Sequence, residues 1–160
     1  MLSMSLSWKM GSYTQGEMYF MLDLTKERDA HVDKRLRSDS TIWFTTVRRD
    51  GRPHTVPVWF LWDGSTFLIF SQPDSLKISN LRNNPHVTLA LDNTDDGGDV
   101  IVAEGKAELL SEPASNLNVP AYFEKYGTSI QGMGQTPEDM AKSYSQPIRV
   151  TPAKFLAWSD

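Results

Sequence analysis

From Thr41 onward the apolar positions come in short runs of β-branched and aromatic residues, separated by turn-forming dipeptides. Residues 41–47 (TIWFTTV) read as a strand. Arg48-Arg49-Asp50-Gly51 reads as a turn, because Asp-Gly accepts the positive φ of a tight hairpin. Residues 53–62 (PHTVPVWFLW) read as a second strand, Asp63-Gly64 as a second turn and residues 67–71 (FLIFS) as a third strand, which together make an antiparallel meander. Pro57 cannot donate to a strand ladder, so it marks an edge, a bulge or a place where the backbone faces something other than a strand.

After residue 71 the period changes. Residues 75–83 (SLKISNLRN) put Leu76, Ile78 and Leu81 on one side of a short helix, with Ser75 as its N-cap and Pro85 blocking continuation. Residues 87–91 (VTLAL) return to strand, residues 93–99 (NTDDGGD) form a polar loop, and residues 100–110 make a fifth strand with Gly105 at a bulge or a close backbone contact. Residues 113–146 hold two short helical stretches, and residues 148–158 form the last strand. Upstream, residues 25–37 (TKERDAHVDKRLR) read as a surface helix, capped by Asp23 or Thr25, with Ala30, Val32 and Leu36 as its apolar side. Residues 1–22 have no clear period and read as an N-terminal extension to a single domain over 23–160. The expectation is a mainly β (α+β) fold of six antiparallel, consecutive strands with small flanking helices, closed as a small barrel.

Composition removes several classes of chemistry. Cysteine is absent, which excludes disulfides, thiolate nucleophiles and iron–sulfur clusters. His31, His54 and His86 lie far apart and show no ligand spacing, so no metal site is expected. The formal net charge of −4 disfavours a nucleic-acid partner. No apolar run approaches the ~20 residues of a membrane span, and Lys9, Gly11, Ser12 and Gln15 interrupt any secretory pattern, so a cytoplasmic location is expected. The sequence has no Gly-x-Gly-x-x-Gly after a strand, no P-loop and no nucleophile elbow. Five tryptophans and 11% aromatics are more than one small core readily hides, which favours a subunit interface, with Trp43, Trp59, Trp62 and Trp158 in the core or at that contact.

One segment carries a local conflict. At Phe70-Ser71-Gln72-Pro73-Asp74-Ser75-Leu76-Lys77 a strand ends and a helix begins. The helix start presents unpaired N–H groups and partial positive charge, and Ser71 and Ser75 add hydroxyl donors. Lys77 adds a full positive charge in the first turn, where a cation opposes the helix dipole by up to ~1 kcal/mol. Either Lys77 points into water or an anion sits at the helix start and reverses that cost.

In order, Asp50-Gly51-Arg52-Pro53-His54 with Pro57-Val58-Trp59-Phe60, Phe70-Ser71 with Ser75 and Lys77, Asn80-Leu81 with Asn84-Pro85 and Val87, and Ala103-Glu104-Gly105 with Ala107-Glu108 resemble the pyridoxamine 5'-phosphate oxidase-like, FMN-binding split-barrel family. The series is most similar to the branch of deazaflavin (coenzyme F420)-dependent reductases and covers roughly residues 25–158. The resemblance implies a split β-barrel homodimer with a cofactor groove at its interface. It implies that Ser71, Gln72, Ser75 and Lys77 hold a phosphate, and that Thr55, Val56, Pro57 and Val58 line the cofactor ring. Pyridoxamine-phosphate oxidases carry an Arg where Val56 stands and a second cation where Leu76 stands. These departures point to F420 as cofactor, with FMN as the alternative, and to hydride transfer onto a small conjugated or electron-poor acceptor. A non-catalytic flavin- or haem-binding carrier or sensor is the competing reading, alongside a pyridoxamine-phosphate-oxidase-type FMN enzyme. Arg48, Arg49, Arg52 and Arg82 are candidate cations for an anionic tail, and His54, Tyr122, Tyr126 and Tyr144 are candidate proton donors.

Overall fold

The computed structural model describes residues 22–92 and 96–159, so the expected extension over 1–22 lies outside the described residues except for Leu22. The elements run α1 (Glu27–Ser38), β1 (Thr41–Val47), β2 (Pro53–Trp59), β3 (Leu61–Trp62), β4 (Phe67–Ser71), α2 (Leu76–Asn83), β5 (His86–Asp92), β6 (Asp99–Leu109), a 3-10 turn (Ala114–Asn116), α3 (Pro120–Gly132), α4 (Pro137–Ser143) and β7 (Gln146–Ser159). One sheet contains all seven strands, in the order β2-β1-β5-β6-β7-β4-β3, and every neighbouring pair is antiparallel. Its two edges, β2 and β3, are consecutive in the chain, so the sheet curls until they meet. This is the split barrel that the resemblance implies.

The expected six strands become seven because residues 53–62 do not form one strand; the ladder breaks at Phe60. The Phe60 backbone is satisfied by α3 instead of by a strand. Its N–H donates to the Tyr126 hydroxyl at 2.9 Å, and its carbonyl accepts from Lys125 Nζ at 3.0 Å. The Tyr126 hydroxyl also lies 2.7 Å from the carbonyls of Ser40 and Phe60. It has one proton to give. Donation to Ser40 leaves every group paired, since Lys125 already serves Phe60. Loss of the Tyr126 oxygen would strand a buried N–H, at a cost of about 1–3 kcal/mol.

Alternation along the strands fills the barrel. Ile42 and Phe44, Leu89 and Leu91, Ile101 and Ala103, Ile148 and Val150, and Phe67 and Ile69 all point inward. Val32 and Leu36 of α1 and Ile78 and Leu81 of α2 join the same core. Asn80 and Thr46 are the buried polar pair of this region, and the Asn80 amide donates to the Thr46 hydroxyl at 2.9 Å, which fixes α2 against β1. A second core lies on the other side of β4, where Phe70 packs with Tyr122, Tyr126 and Ile130 of α3 and Met140 of α4.

α1 starts two residues later than expected, with Lys26 at its N-cap. Neither Asp23 nor Thr25 caps it: the Asp23 carboxylate instead accepts from the Thr25 amide and hydroxyl. Ala30 is exposed, and the buried side is Asp29, Val32 and Leu36. The helix is docked by Asp33, which accepts from Trp62 Nε1 at 2.8 Å, and by His31 and Arg35 on Asp99. The Gly105 expectation is met in both forms. The β6–β7 register shifts at Glu104/Gly105, and a Cβ there would overlap the Thr151 carbonyl oxygen. Pro57 lies on edge strand β2. Among the described residues, no helix is long and apolar enough to cross a membrane.

Lys125 gives this arrangement a pH dependence. Burial, outweighing the nearby Asp39 carboxylate, brings its pKa down to about 8, against about 10.4 for a free lysine. Between those values the unfolded chain binds more protons, so this group favours the folded state increasingly as pH rises through that window and loses that contribution as pH falls through about 8. The Tm difference between the native protein and Lys125→Met should therefore shift in favour of the native protein from about pH 7 to about pH 10. Parallel melting profiles across that range would contradict a desolvated ammonium.

Candidate functional site

The seam of the barrel is where chemistry-bearing residues gather. Here the end of β2 approaches β4 and the start of α2, and α3 and α4 cover the gap. A cavity of about 390 Å³ lies at this place. Thr41, Pro57, Val58 and Trp59 form its strand side together with Phe70, and Lys77 enters from α2. Tyr122 and Met140 close it from α3 and α4, with Met133, Gln135 and Tyr144 from the segments at the ends of those helices. The volume is within the range of small-molecule pockets. No carboxylate among the described residues lines it.

Lys77 is half-buried, and burial holds its pKa below the ordinary lysine range. Among the described residues it has no hydrogen-bond or ion-pair partner. An ammonium taken partly out of water without an acceptor is a net cost to the fold. The adjoining corner is also left open. Ser75 is the N-cap of α2, yet its side chain does not cap the helix. It lies 3.0 Å from the Ser71 hydroxyl, which is itself within 3.1 Å of the Gln72 carbonyl. Each hydroxyl has one proton. If Ser71 donates to Ser75, the Ser75 proton is available to a ligand; if Ser71 donates to Gln72, it is not. Of the first-turn amides of α2, that of Ile78 donates to the Ser75 carbonyl at 3.1 Å, and those of Leu76 and Lys77 meet no acceptor among the described residues.

Of the eight residues expected at the site, Pro57, Val58 and Lys77 come together around one cavity. Ser71, Gln72 and Ser75 form the adjacent corner, where Ser71 is only 1% exposed and Gln72 faces solvent. The four residues expected to line a ring alternate between faces. Thr55 and Pro57 stand opposite Thr45 and Trp43 on the outer face, and Val56 and Val58 stand opposite Phe44 and Ile42 on the inner one. The Thr55 and Thr45 hydroxyls are hydrogen-bonded at 2.8 Å. The hairpin arginines sit at the other end of β2, with Arg52 paired to Asp50 at 2.8 Å; Arg82 is exposed in the last turn of α2.

The candidate proton donors separate clearly. Tyr126 is committed to backbone groups and stacks on Trp59 at a centroid distance of 4.5 Å. Tyr144 is partly exposed at the cavity, and His54 lies away from it, half-buried on β2 opposite Thr46. Tyr122 is 1% exposed with its hydroxyl unpartnered, and burial raises its pKa far above the ordinary phenol range. Phe70 belongs to the expected corner, while Thr41, Met133, Gln135 and Met140 were not expected at the site. No local pattern marks them, because the curl and the helices, not sequence proximity, bring them to it.

Known structures share this architecture. A conserved hypothetical protein from Mycobacterium tuberculosis is 22% identical, with a TM-score of 0.67 over 92% of this chain and 90% of that one. An F420 reductase is 22% identical, with a TM-score of 0.63 over 78% of this chain and 94% of that one. HutZ, the haem storage protein of Vibrio cholerae, is 14% identical, with a TM-score of 0.59 over 82% and 95%. At these identities the likeness establishes the fold. No curated protein matches the sequence. The family model for pyridoxamine 5'-phosphate oxidase matches residues 29–159, nearly the whole of the described chain. With the curled sheet and the ordered motifs, that match makes this chain a member of the pyridoxamine 5'-phosphate oxidase family.

Proposed function

We propose that this protein is an oxidoreductase that binds a flavin or deazaflavin, with the cofactor's phosphate at the corner of Ser71, Gln72, Ser75 and Lys77 and its ring along Thr55, Val56, Pro57 and Val58. The observation that carries the reading is the Lys77 ammonium, half-buried at the cavity with no acceptor among the described residues. A phosphate supplies that acceptor and meets the uncapped first turn of α2 as well. When bound, such a cofactor supplies hydride transfer to a small conjugated or electron-poor acceptor. The chain's residues orient the ring and exclude water. F420 is favoured over FMN because apolar residues stand at both departures from pyridoxamine-phosphate oxidases, Val56 on the ring-lining strand in place of an Arg and exposed Leu76 in place of a second cation beside the phosphate lysine.

The homodimer belongs to the same proposal. Strand registers align Trp43, Ala90, Val102 and Leu156 in one apolar row across the outer face of β1, β5, β6 and β7. An open sheet face is ordinarily polar. Here Trp43 and Trp158 are 50% and 48% exposed. Pro57 stands opposite Trp43 at the edge of this row, so a partner covering it would border the ring-lining residues.

Parallel fluorescence titrations with FMN and F420 test the cofactor. Binding at micromolar levels is expected, tighter for F420, and Lys77→Met should weaken it by about tenfold or more, the worth of one charge-assisted contact. The same substitution should raise the ligand-free Tm by a few degrees, on the order of 1 kcal/mol in a domain of this size. Unchanged affinity in Lys77→Met would remove the phosphate assignment, and a Soret band in place of flavin binding would favour the haem carrier. In sedimentation, the native protein should run as a dimer at micromolar concentration and Trp43→Asp as a monomer. A native monomer would count against the shared groove.

A further inference from the structure

Between α3 and α4 the chain is held by two capping motifs that share one residue, Gln135. Behind it, α3 ends in a Schellman turn. Gly134 takes a φ of 71°, its N–H donates to the Gln131 carbonyl at 2.9 Å, and the Gln135 N–H reaches back to the Ile130 carbonyl at 3.2 Å. Ahead of it, Thr136 opens α4 with a capping box. The Asp139 N–H donates to the Thr136 hydroxyl at 3.1 Å, and the Thr136 N–H donates to the Asp139 carboxylate at 3.2 Å. Each motif ordinarily wants an apolar side chain at the shared position. A Schellman turn packs its second residue past the cap back on the helix, here on the level of Ile130. The residue before a capping box packs on the fourth helical position, here Met140. This chain places a carboxamide there instead.

Gln135 lines the cavity at the barrel seam, together with Met133 and Met140 and with Pro57 and Val58 on the strand side. It is only partly exposed, and its amide meets no hydrogen-bond partner among the described residues. The other polar groups of the lining differ from it in kind. Thr41 and Tyr144 bring single hydroxyls, and Lys77 can only donate. Gln135 alone presents donor and acceptor side by side in one rigid plane. Two motifs fix its backbone, and both forgo the apolar contact they usually make. A local preference broken twice at one residue, in favour of an unpaired polar group beside a cavity, marks a position that serves a ligand and not the fold.

A carboxamide pairs best with a donor that stands next to an acceptor in the same plane. The pyrimidinedione edge of a flavin or deazaflavin ring has that pattern, an N3–H between two carbonyl oxygens. The benzenoid edge of FMN carries methyl groups and would leave the amide unpaired. We infer that Gln135 reads the pyrimidinedione edge of the cofactor ring, its carbonyl oxygen accepting from the ring N3–H and its NH2 donating to an adjoining ring carbonyl. The inference deepens the flavin or deazaflavin reading and rests on it for the identity of the ring, but it does not depend on where the phosphate binds. Both cofactors share this edge, so Gln135 selects the ring system and does not choose between FMN and F420.

Fluorescence titrations with lumiflavin and 3-methyllumiflavin test it, since both lack the phosphate and they differ only at N3. The native protein should bind lumiflavin about tenfold more tightly, the worth of one hydrogen bond. Gln135→Met keeps the length of the side chain and supplies the apolar group that both caps favour. It should bring the ratio to within about twofold and leave the ligand-free Tm unchanged or higher. Equal binding of the two probes by the native protein would overturn the inference. So would a preference that survives Gln135→Met, which would trace it to crowding at the added methyl. A lower ligand-free Tm in Gln135→Met would also sink it, because the amide would then be holding the fold. FMN titrations keep the two readings apart. Lys77-dependent FMN binding without an N3 preference rejects the Gln135 assignment and leaves the phosphate corner standing. An N3 preference that needs Gln135, in a protein whose FMN affinity ignores Lys77→Met, sustains the Gln135 assignment and rejects the corner. Binding of none of lumiflavin, FMN and F420 rejects both.

Discussion

The curl of the sheet depends on how the backbone of Phe60 is satisfied. At this residue the chain leaves one sheet edge and starts the other, so its amide and carbonyl have no strand to pair with. Tyr126 and Lys125 supply the missing partners from α3, and the Lys125 ammonium lies 4.0 Å from the centroid of the Phe60 ring. A sheet that remained continuous through residues 53–62 would have to choose one edge. The break lets a single stretch of chain serve both.

The same contact positions the site. α3 must lie close enough to the seam for Tyr126 to reach Phe60 and stack on Trp59, and Tyr122, one turn earlier, then meets Phe70 on the outer side of β4. The cavity is the space left between this second core and the end of β2. Its electrostatics follow from which residues reach it: Lys77 from α2, the ends of three strands, and side chains from α3, α4 and their flanks without carboxylates. A pocket lined by one cation and, among the described residues, no carboxylate has a positive potential beside Lys77 and an apolar remainder.

Features encoded by adjacent residues were legible in the sequence. Gly51 and Gly64 take φ values of 87° and 100° in the two Asp-Gly turns. Pro57 is on an edge strand, and Gly105 is at a register shift. Lys77 stood out because a cation in a helix's first turn opposes the dipole, a conflict visible without coordinates. The break at Phe60 was not legible. Val58 to Trp62 is an unbroken apolar run, and the group that interrupts it lies 66 residues further on. For the same reason, Met133, Gln135 and Met140 carried no mark of a shared cavity. The block 55–58, expected to line a ring, is a strand as its residues predict, but a period of two divides it between faces, and which face borders the cavity is settled by the curl.

The helices that close the cavity belong to a detour within a hairpin. β6 and β7 pair along their length, down to Leu109 opposite Ile148, and everything from residue 110 to residue 145 leaves and returns at that one point. A detour whose ends are clamped by an existing ladder adds little closure entropy as it lengthens. Apart from the clasp on Phe60, the helical wall of the cavity can therefore be rewritten in composition or length while the barrel keeps its strands, its register and the corner between β4 and α2. Selection on this architecture can change what the chamber admits independently of how the chain folds.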